Sequence, residues 1–192
     1  HNLQEEDYRG ERFKDFHTSL KGNNDLLVLT QPKIIKDIHR EYLAAGVDLI
    51  ETNTFNANII SMVDYDMVDL VDELNYEAVR LAKEACEEYS TPDKPRFVVG
   101  SLGPTNKTAS ISPQVNDPSF RDIDFDTLAN VYYRQAKTML EAGADILLVE
   151  TIFDTLNAKA AFFGIQDAIE ETGINAPLMA SGTITDKSGR TL

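Results

Sequence analysis

One pattern occurs twice in this chain and limits what it can become. Ala45-Gly46-Val47-Asp48 leads to Glu51-Thr52, and Ala142-Gly143-Ala144-Asp145 leads to Glu150-Thr151. In each copy a helical stretch stops on glycine, a β-rich run follows, and a carboxylate stands at the run's C-terminal end. The Asp-to-Glu spacing differs by two residues between the copies, which is the side-chain period of a strand, so both glutamates keep the same face.

The rest of the chain extends the alternation. Thr30 is the expected cap of a first helix, with Pro32 in its first turn and Ile34, Ile35, Ile38, Tyr42 and Ala45 as its apolar stripe. A strand is expected over Val47 to Phe55, and a second helix over about 68–89 carries Val71, Leu74, Ala78, Leu81, Ala82 and Ala85 on one face. Pro92 and Pro95 separate it from a second strand, Phe97 to Gly103. A third helix from about Phe125 to Ala142 precedes Ile146-Leu147-Leu148-Val149, whose unbroken apolar run reads as a strand covered on both faces. The fourth helix, Thr155 to Glu171, leads to a fourth strand at Leu178 to Ile184. Strands alternating with helices specify an α/β fold with a parallel sheet.

Polar residues collect at the C-terminal ends of the strands: Glu51 and Asn53, Ser101, Glu150, and Ser181 with Thr183. That rim is where (β/α)8 barrels place their active sites, and no Gly-x-Gly-x-x-Gly follows a strand to support a dinucleotide fold. A closed barrel takes eight strands, so the expectation is a partial (β/α)8 TIM barrel with about four of them. Its expected extent is one domain over residues 1–192, truncated at both ends, with 1–29 as a polar N-terminal loop region.

A net charge of −14 excludes the basic footprint that nucleic acid or an anionic membrane surface requires. No run approaches the ~20 apolar residues of a membrane span. The single cysteine, Cys86, allows no intrachain disulfide, and the polar, acidic N-terminus is unlike a signal peptide. A cytoplasmic protein is expected.

Glu150 ends an apolar strand, a placement that suits a carboxylate pairing with a substrate ammonium or moving a proton; a bond to nearby backbone or to a lysine is the structural alternative. For Glu51 the two readings stand level. Gly100-Ser101-Leu102-Gly103 opens a connection of about twenty residues, long enough to be a binding loop or only a redirecting turn. His1, His17 and His39 have no metal-ligand spacing. Cys86, beside Glu87 and Glu88, reads as structural, with those carboxylates raising its pKa. The run Asp64, Asp66, Asp69, Asp72 and Glu73 reads as a solvated helix face.

Several strings are more particular. Tyr8-Arg9-Gly10-Glu11-Arg12-Phe13, Leu20 to Leu27, Glu51-Thr52-Asn53-Thr54-Phe55-Asn56, Gly103 to Pro113, Val115-Asn116-Asp117-Pro118 and Glu150 to Lys159 resemble the N-terminal module of cobalamin-dependent methionine synthases, over essentially the whole chain. Asn106-Lys107-Thr108-Ala109-Ser110-Ile111-Ser112-Pro113 is the most specific of these, whereas Glu-Thr-x-x-Phe signals recur in homocysteine methyltransferases that take the methyl from betaine or S-methylmethionine. The resemblance implies a barrel that binds homocysteine and zinc, the zinc held by three cysteines that would follow Leu192, and a methyl group taken from methylcobalamin on another domain. It further implies folate-, cobalamin- and reactivation domains as partners within a longer chain, and an inactive isolated segment. By position in the motifs, Glu150 is implied to hold the homocysteine amino group. The resemblance further implies that Asn53 and Asn56 line the same mouth and that Ser181 with the Gly100 and Gly103 backbone completes it. No catalytic residue and no zinc ligand is expected within residues 1–192.

Overall fold

In the computed structural model residues 2–184 and 187–189 are described; His1, Thr185-Asp186 and Arg190-Thr191-Leu192 lie outside the described residues. Four strands form one parallel sheet in chain order: β1 (Leu49–Glu51), β2 (Phe97–Leu102), β3 (Ile146–Ile152) and β4 (Leu178–Gly182). A helix runs before each, namely α3 (Pro32–Ala45), α5 (Val71–Tyr89), α6 (Phe125–Glu141) and α7 (Thr155–Thr172), with the single-turn α4 (Ile59–Met62) between β1 and α5. Neighbouring parallel strands joined through helices are what the alternation of apolar periods specifies.

The main core lies between the sheet and these helices. Ile50, Val98, Leu102, Leu147 and Val149 meet Val79, Ala82, Leu128, Met139, Leu140, Ala160 and Ile165. Gly164 permits the closest helix approach: a Cβ there would stand 2.1 Å from the Ala129 carbonyl oxygen of α6. At the sheet's N-terminal edge the aspartates of the repeat act as ties. Asp145 accepts the Val98 N–H at 2.7 Å and pairs with Lys83 at 3.0 Å, while Asp48 pairs with Arg96 at 3.0 Å. The repeat therefore divides its labour, with aspartates fastening one end of the sheet and glutamates standing at the other.

Several expectations need correction. The first strand spans only Leu49–Glu51: Thr52 still donates its N–H to the Val99 carbonyl at 2.9 Å, but its hydroxyl, in place of a backbone carbonyl, takes the Ser101 N–H. Glu150 does not end β3, which passes through a bulge to Ile152. Thr30 closes a preceding turn of helix, and Gln31 stands at the N-cap of α3. The buried face of α3 is Ile35, His39 and Leu43, while Tyr42 is 60% exposed. The apolar stripe on α3 is wider than the sheet it meets, and its Tyr42 side lies open along the free edge of β1.

Residues before 30 are more than a polar loop. They contain α1 (Glu5–Arg9) and α2 (Leu27–Thr30) and share a second core of Tyr8, Leu20, Leu26 and Val28 with Met62, Met67, Leu74 and Leu81. Glu5 holds this segment by accepting the Leu20 and Lys21 N–H groups at 2.9 and 2.8 Å, and those bonds keep its carboxyl down at about 2. The acidic run is no single helix face. Asp66 ends a 3-10 turn (Val63–Tyr65) and meets His17 at 2.8 Å, Asp72 pairs with Arg134, and Glu73 with Arg12. Cys86 is buried, and burial is the main reason its thiol is pushed up to about 11, with Asp145 next; Glu87 contributes least. No helix among the described residues is long and apolar enough to cross a membrane.

Candidate functional site

Strand register decides which side chains share a face. Glu51 is level with Val99, Val99 with Ile146, and Ser101 with Leu148. Stepping by two along β3 from Ile146 reaches Leu148 and then Glu150, so Glu51, Ser101 and Glu150 project from one face of the sheet. The Ser101 hydroxyl donates to Glu150 Oε1. Glu51 lies near enough that its carboxyl is pushed upward, first by partial burial and then by the charge on Glu150. The same face continues downward through Leu49, Phe97 and Met179, each 40% exposed, so a carboxylate rim stands above an apolar floor.

Two hydroxyls build the frame behind the rim. Thr54 donates to the Ser101 carbonyl at 2.7 Å, and Thr52 accepts the Ser101 N–H at 3.0 Å. With the Thr54 proton committed, the 2.7 Å contact between the two threonines must run from Thr52 to Thr54. Gln135 of α6 adds its side-chain N–H to the Thr54 carbonyl at 3.0 Å. All four side chains are buried, so each bond forms out of competition with water.

Glu150 is aimed by a break in the ladder. Val149 pairs with Ala180 and Ile152 with Gly182, so Glu150 and Thr151 together face the single residue Ser181. Thr151 takes φ +57°, a left-handed conformation that costs a β-branched residue about 1–2 kcal/mol. Such strain persists where surrounding structure enforces it.

The other site residues expected from sequence fall in different places. Asn53 donates its side-chain N–H to the Asn24 carbonyl at 2.7 Å, and Asn56 donates its backbone N–H to Asp25 at 2.9 Å, so both join the N-terminal segment to the end of β1. Ser181 is exposed on β4 opposite the bulge. Gly100 faces the helices, where a Cβ would meet Met139 Sδ at 2.8 Å; Gly103 lies against Phe55, whose carbonyl oxygen would be 2.3 Å from an added Cβ. The carbonyl of Gly103 accepts the Tyr132 hydroxyl at 3.0 Å. Both glycines are thus explained by close packing.

The long connection after β2 is pinned. Asp154, the N-cap of α7, accepts from Ser110 N–H and hydroxyl at 2.9 and 2.7 Å, and Asn157 bonds Ala109 and Lys107 at 2.8 Å each. Asn24, Asp25, Thr52, Thr54 and Thr151 were not singled out from sequence. The Glu-Thr repeat pointed at two of them, and Asn24, Asp25 and Thr54 fell inside the strings that carry the resemblance without a signal of their own. As for zinc, no group of three His, Cys, Asp or Glu side chains comes together among the described residues, and Cys86 is buried in the helical layer with a raised pKa. The residues present do not fit a zinc ion.

A parallel α/β sheet with a carboxylate-and-hydroxyl rim at the strands' C-terminal ends has polar groups where (β/α)8 enzymes build their active sites. The chain belongs to the homocysteine S-methyltransferase family, whose model matches residues 1–192. Its fold is similar to that of the homocysteine methyltransferase MmuM from Escherichia coli. Against the metallated form the TM-score is 0.66 at 21% identity, covering 83% of this chain and 55% of that one. Against the oxidised form it is 0.67 at 19% identity, covering 86% and 57%; against the apo form, 0.60 at 20% identity, covering 89% and 58%. The chain spans little more than half the length of these proteins.

Proposed function

We propose that these residues form the amino-acid-binding wall of a homocysteine S-methyltransferase, with Glu150 accepting the substrate ammonium. The observation that carries this is the Ser101–Glu150 hydrogen bond on a bulged strand at the rim, which orients a carboxylate on the open face of a family scaffold. Glu51 adds a second negative potential, and Asn53, Asn56 and Ser181 border the same mouth. The Leu49, Phe97 and Met179 floor suits the methylene chain of homocysteine. Among the described residues no cluster could hold a zinc ion, and the part in the reaction we assign to them is to bind and orient the amino-acid end of the substrate.

We take the sheet to be part of an eight-stranded closed barrel. In support, β1 and β4 each have one strand partner among the described residues, and the apolar floor is open. We assign the methyl donor to methylcobalamin, carried with folate and reactivation domains in a longer protein. The support is the Asn106 to Pro113 string, which Asp154 and Asn157 hold at the rim.

In the whole enzyme, Glu150→Gln is expected to raise KM for homocysteine about tenfold, equivalent to about 1.4 kcal/mol of charge pairing. An unchanged KM removes Glu150 from the site. Activity with betaine or S-methylmethionine in place of methylcobalamin would reassign the donor.

A further inference from the structure

The buried carboxylate of Asp25 has no part in the wall as described, although it lies directly behind it. It is 4% exposed, and it accepts the Asn56 N–H at 2.9 Å. The preceding residue makes the parallel contact, since the Asn24 carbonyl accepts from the Asn53 side chain at 2.7 Å. Asn24 is itself held from behind, its Oδ1 accepting the Tyr8 hydroxyl at 3.0 Å. Two consecutive residues of the N-terminal segment thus grip both ends of the turn Asn53–Asn56. That turn leaves β1 after a strand of only three residues. Such a short strand cannot by itself dictate the path of the chain beyond it.

A carboxylate costs free energy to bury and is retained only where its bonds are needed. Its charge acts on Tyr65, which is no cation, and what opposes its burial is hydrogen bonding from backbone N–H groups. Its contact is with rim backbone. An alanine would leave the Asn56 N–H without its acceptor, and the turn would move.

We propose that Asp25 is a positioning residue for the substrate rim, fixing the Asn53–Asn56 turn through the Asn56 N–H. This inference rests on the reading of that rim as the homocysteine site. Asp25→Ala is expected to raise KM for homocysteine about five- to tenfold with kcat little changed, the size of one lost hydrogen bond. Asp25→Asn keeps an acceptor oxygen and should restore KM to within about twofold of the parent.

Hydrogen exchange separates rim release from loss of the fold. The Ile60 and Ser61 N–H groups, capped by Asn58 at 3.1 and 2.9 Å, lie a few residues further on and serve as controls. Faster exchange at Asn56 in Asp25→Ala, with Ile60 and Ser61 unchanged and KM raised, supports the proposal. Acceleration at all three amides makes Asp25 a fold-stabilising residue and overturns it. If Asn56 exchanges faster but KM stays put while Glu150→Gln raises KM, the proposal fails and the reading of the site stands. If neither substitution moves KM, the reading of the site fails and takes this proposal with it.

Discussion

His39 and Asp25 should make stability respond to pH in opposite directions, and the two effects can be separated. His39 lies on the buried face of α3, its Nε2 has no hydrogen-bond partner among the described residues, and burial pulls its pKa down from 6.5 to about 4. The unfolded chain therefore binds a proton below about pH 6.5 that the folded one refuses, and stability falls as pH drops from there toward 4. Between about pH 8 and pH 5 this term removes about 2 kcal/mol. Asp25 runs the other way, because burial raises its carboxyl from 3.8 to about 6. The folded state then holds a proton that the unfolded state releases, and over the same interval the fold gains about 1 kcal/mol. The parent protein should lose only about 1 kcal/mol, the difference of the two. His39→Gln removes the loss and should be more stable by about 1 kcal/mol at the acid end than at the alkaline end. Asp25→Asn removes the gain and should lose about 2 kcal/mol. Urea unfolding of the three proteins at each pH measures all of this. The carboxylates held well below their usual range, Glu5 and Glu88, respond in more acid solution and do not confuse the interval. Parallel pH curves for parent and His39→Gln would refute the argument that burial keeps this imidazole neutral.

Thr151→Gly should cost nothing and can gain up to about 1 kcal/mol, because glycine relieves the φ of +57° while adding only its own backbone entropy. A thermal melt showing a loss of more than about 1 kcal/mol would mean that the residue is not strained. Gly164→Ala should destabilise by about 2–3 kcal/mol, since a Cβ 2.1 Å from the Ala129 oxygen must push α6 and α7 apart; an unchanged melting temperature would mean the helices yield freely. Gly103→Ala should lower stability and also raise KM for homocysteine, because its Cβ would collide with Phe55 inside the rim turn.

The architecture was largely legible because it rests on local periodicity. Four strands, the four long helices before them, and their parallel order all follow from apolar spacing and glycine stops, and the glutamates do share a face as the two-residue offset required. What failed to show was whatever depends on distant partners. Polar spacing before residue 30 looks like a loop because the bonds that shape it, from the Leu20 and Lys21 amides to Glu5, join residues about fifteen apart. The stripe on α3 misjudged the buried face, since propensity counts apolar residues but cannot say which side the sheet occupies; His39 is buried while Tyr42 is exposed.

The two copies of the repeat show most clearly where sequence pattern stops and tertiary structure begins. Both read Glu-Thr at the end of a strand, and both glutamates reach the same face. The threonines then diverge. Thr52 is buried and accepts the Ser101 N–H, which ends β1 and ties its turn to β2. Thr151 adopts left-handed backbone, inserts an extra residue against Ser181, and carries β3 on to Ile152. The first copy uses its threonine to stop a strand and hold a neighbour, whereas the second uses the same residue type to bend a strand that continues. The consequence falls on the carboxylates: Glu51 stands on a short strand whose following turn needs Asn24 and Asp25 to hold it, while Glu150 is set by the bulge and by the hydroxyl of Ser101. Glu150 thus has the more direct side-chain hold of the two, which is what the proposed ammonium contact requires, since a charge pair loses its directional hydrogen bonds when its carboxylate can swing away.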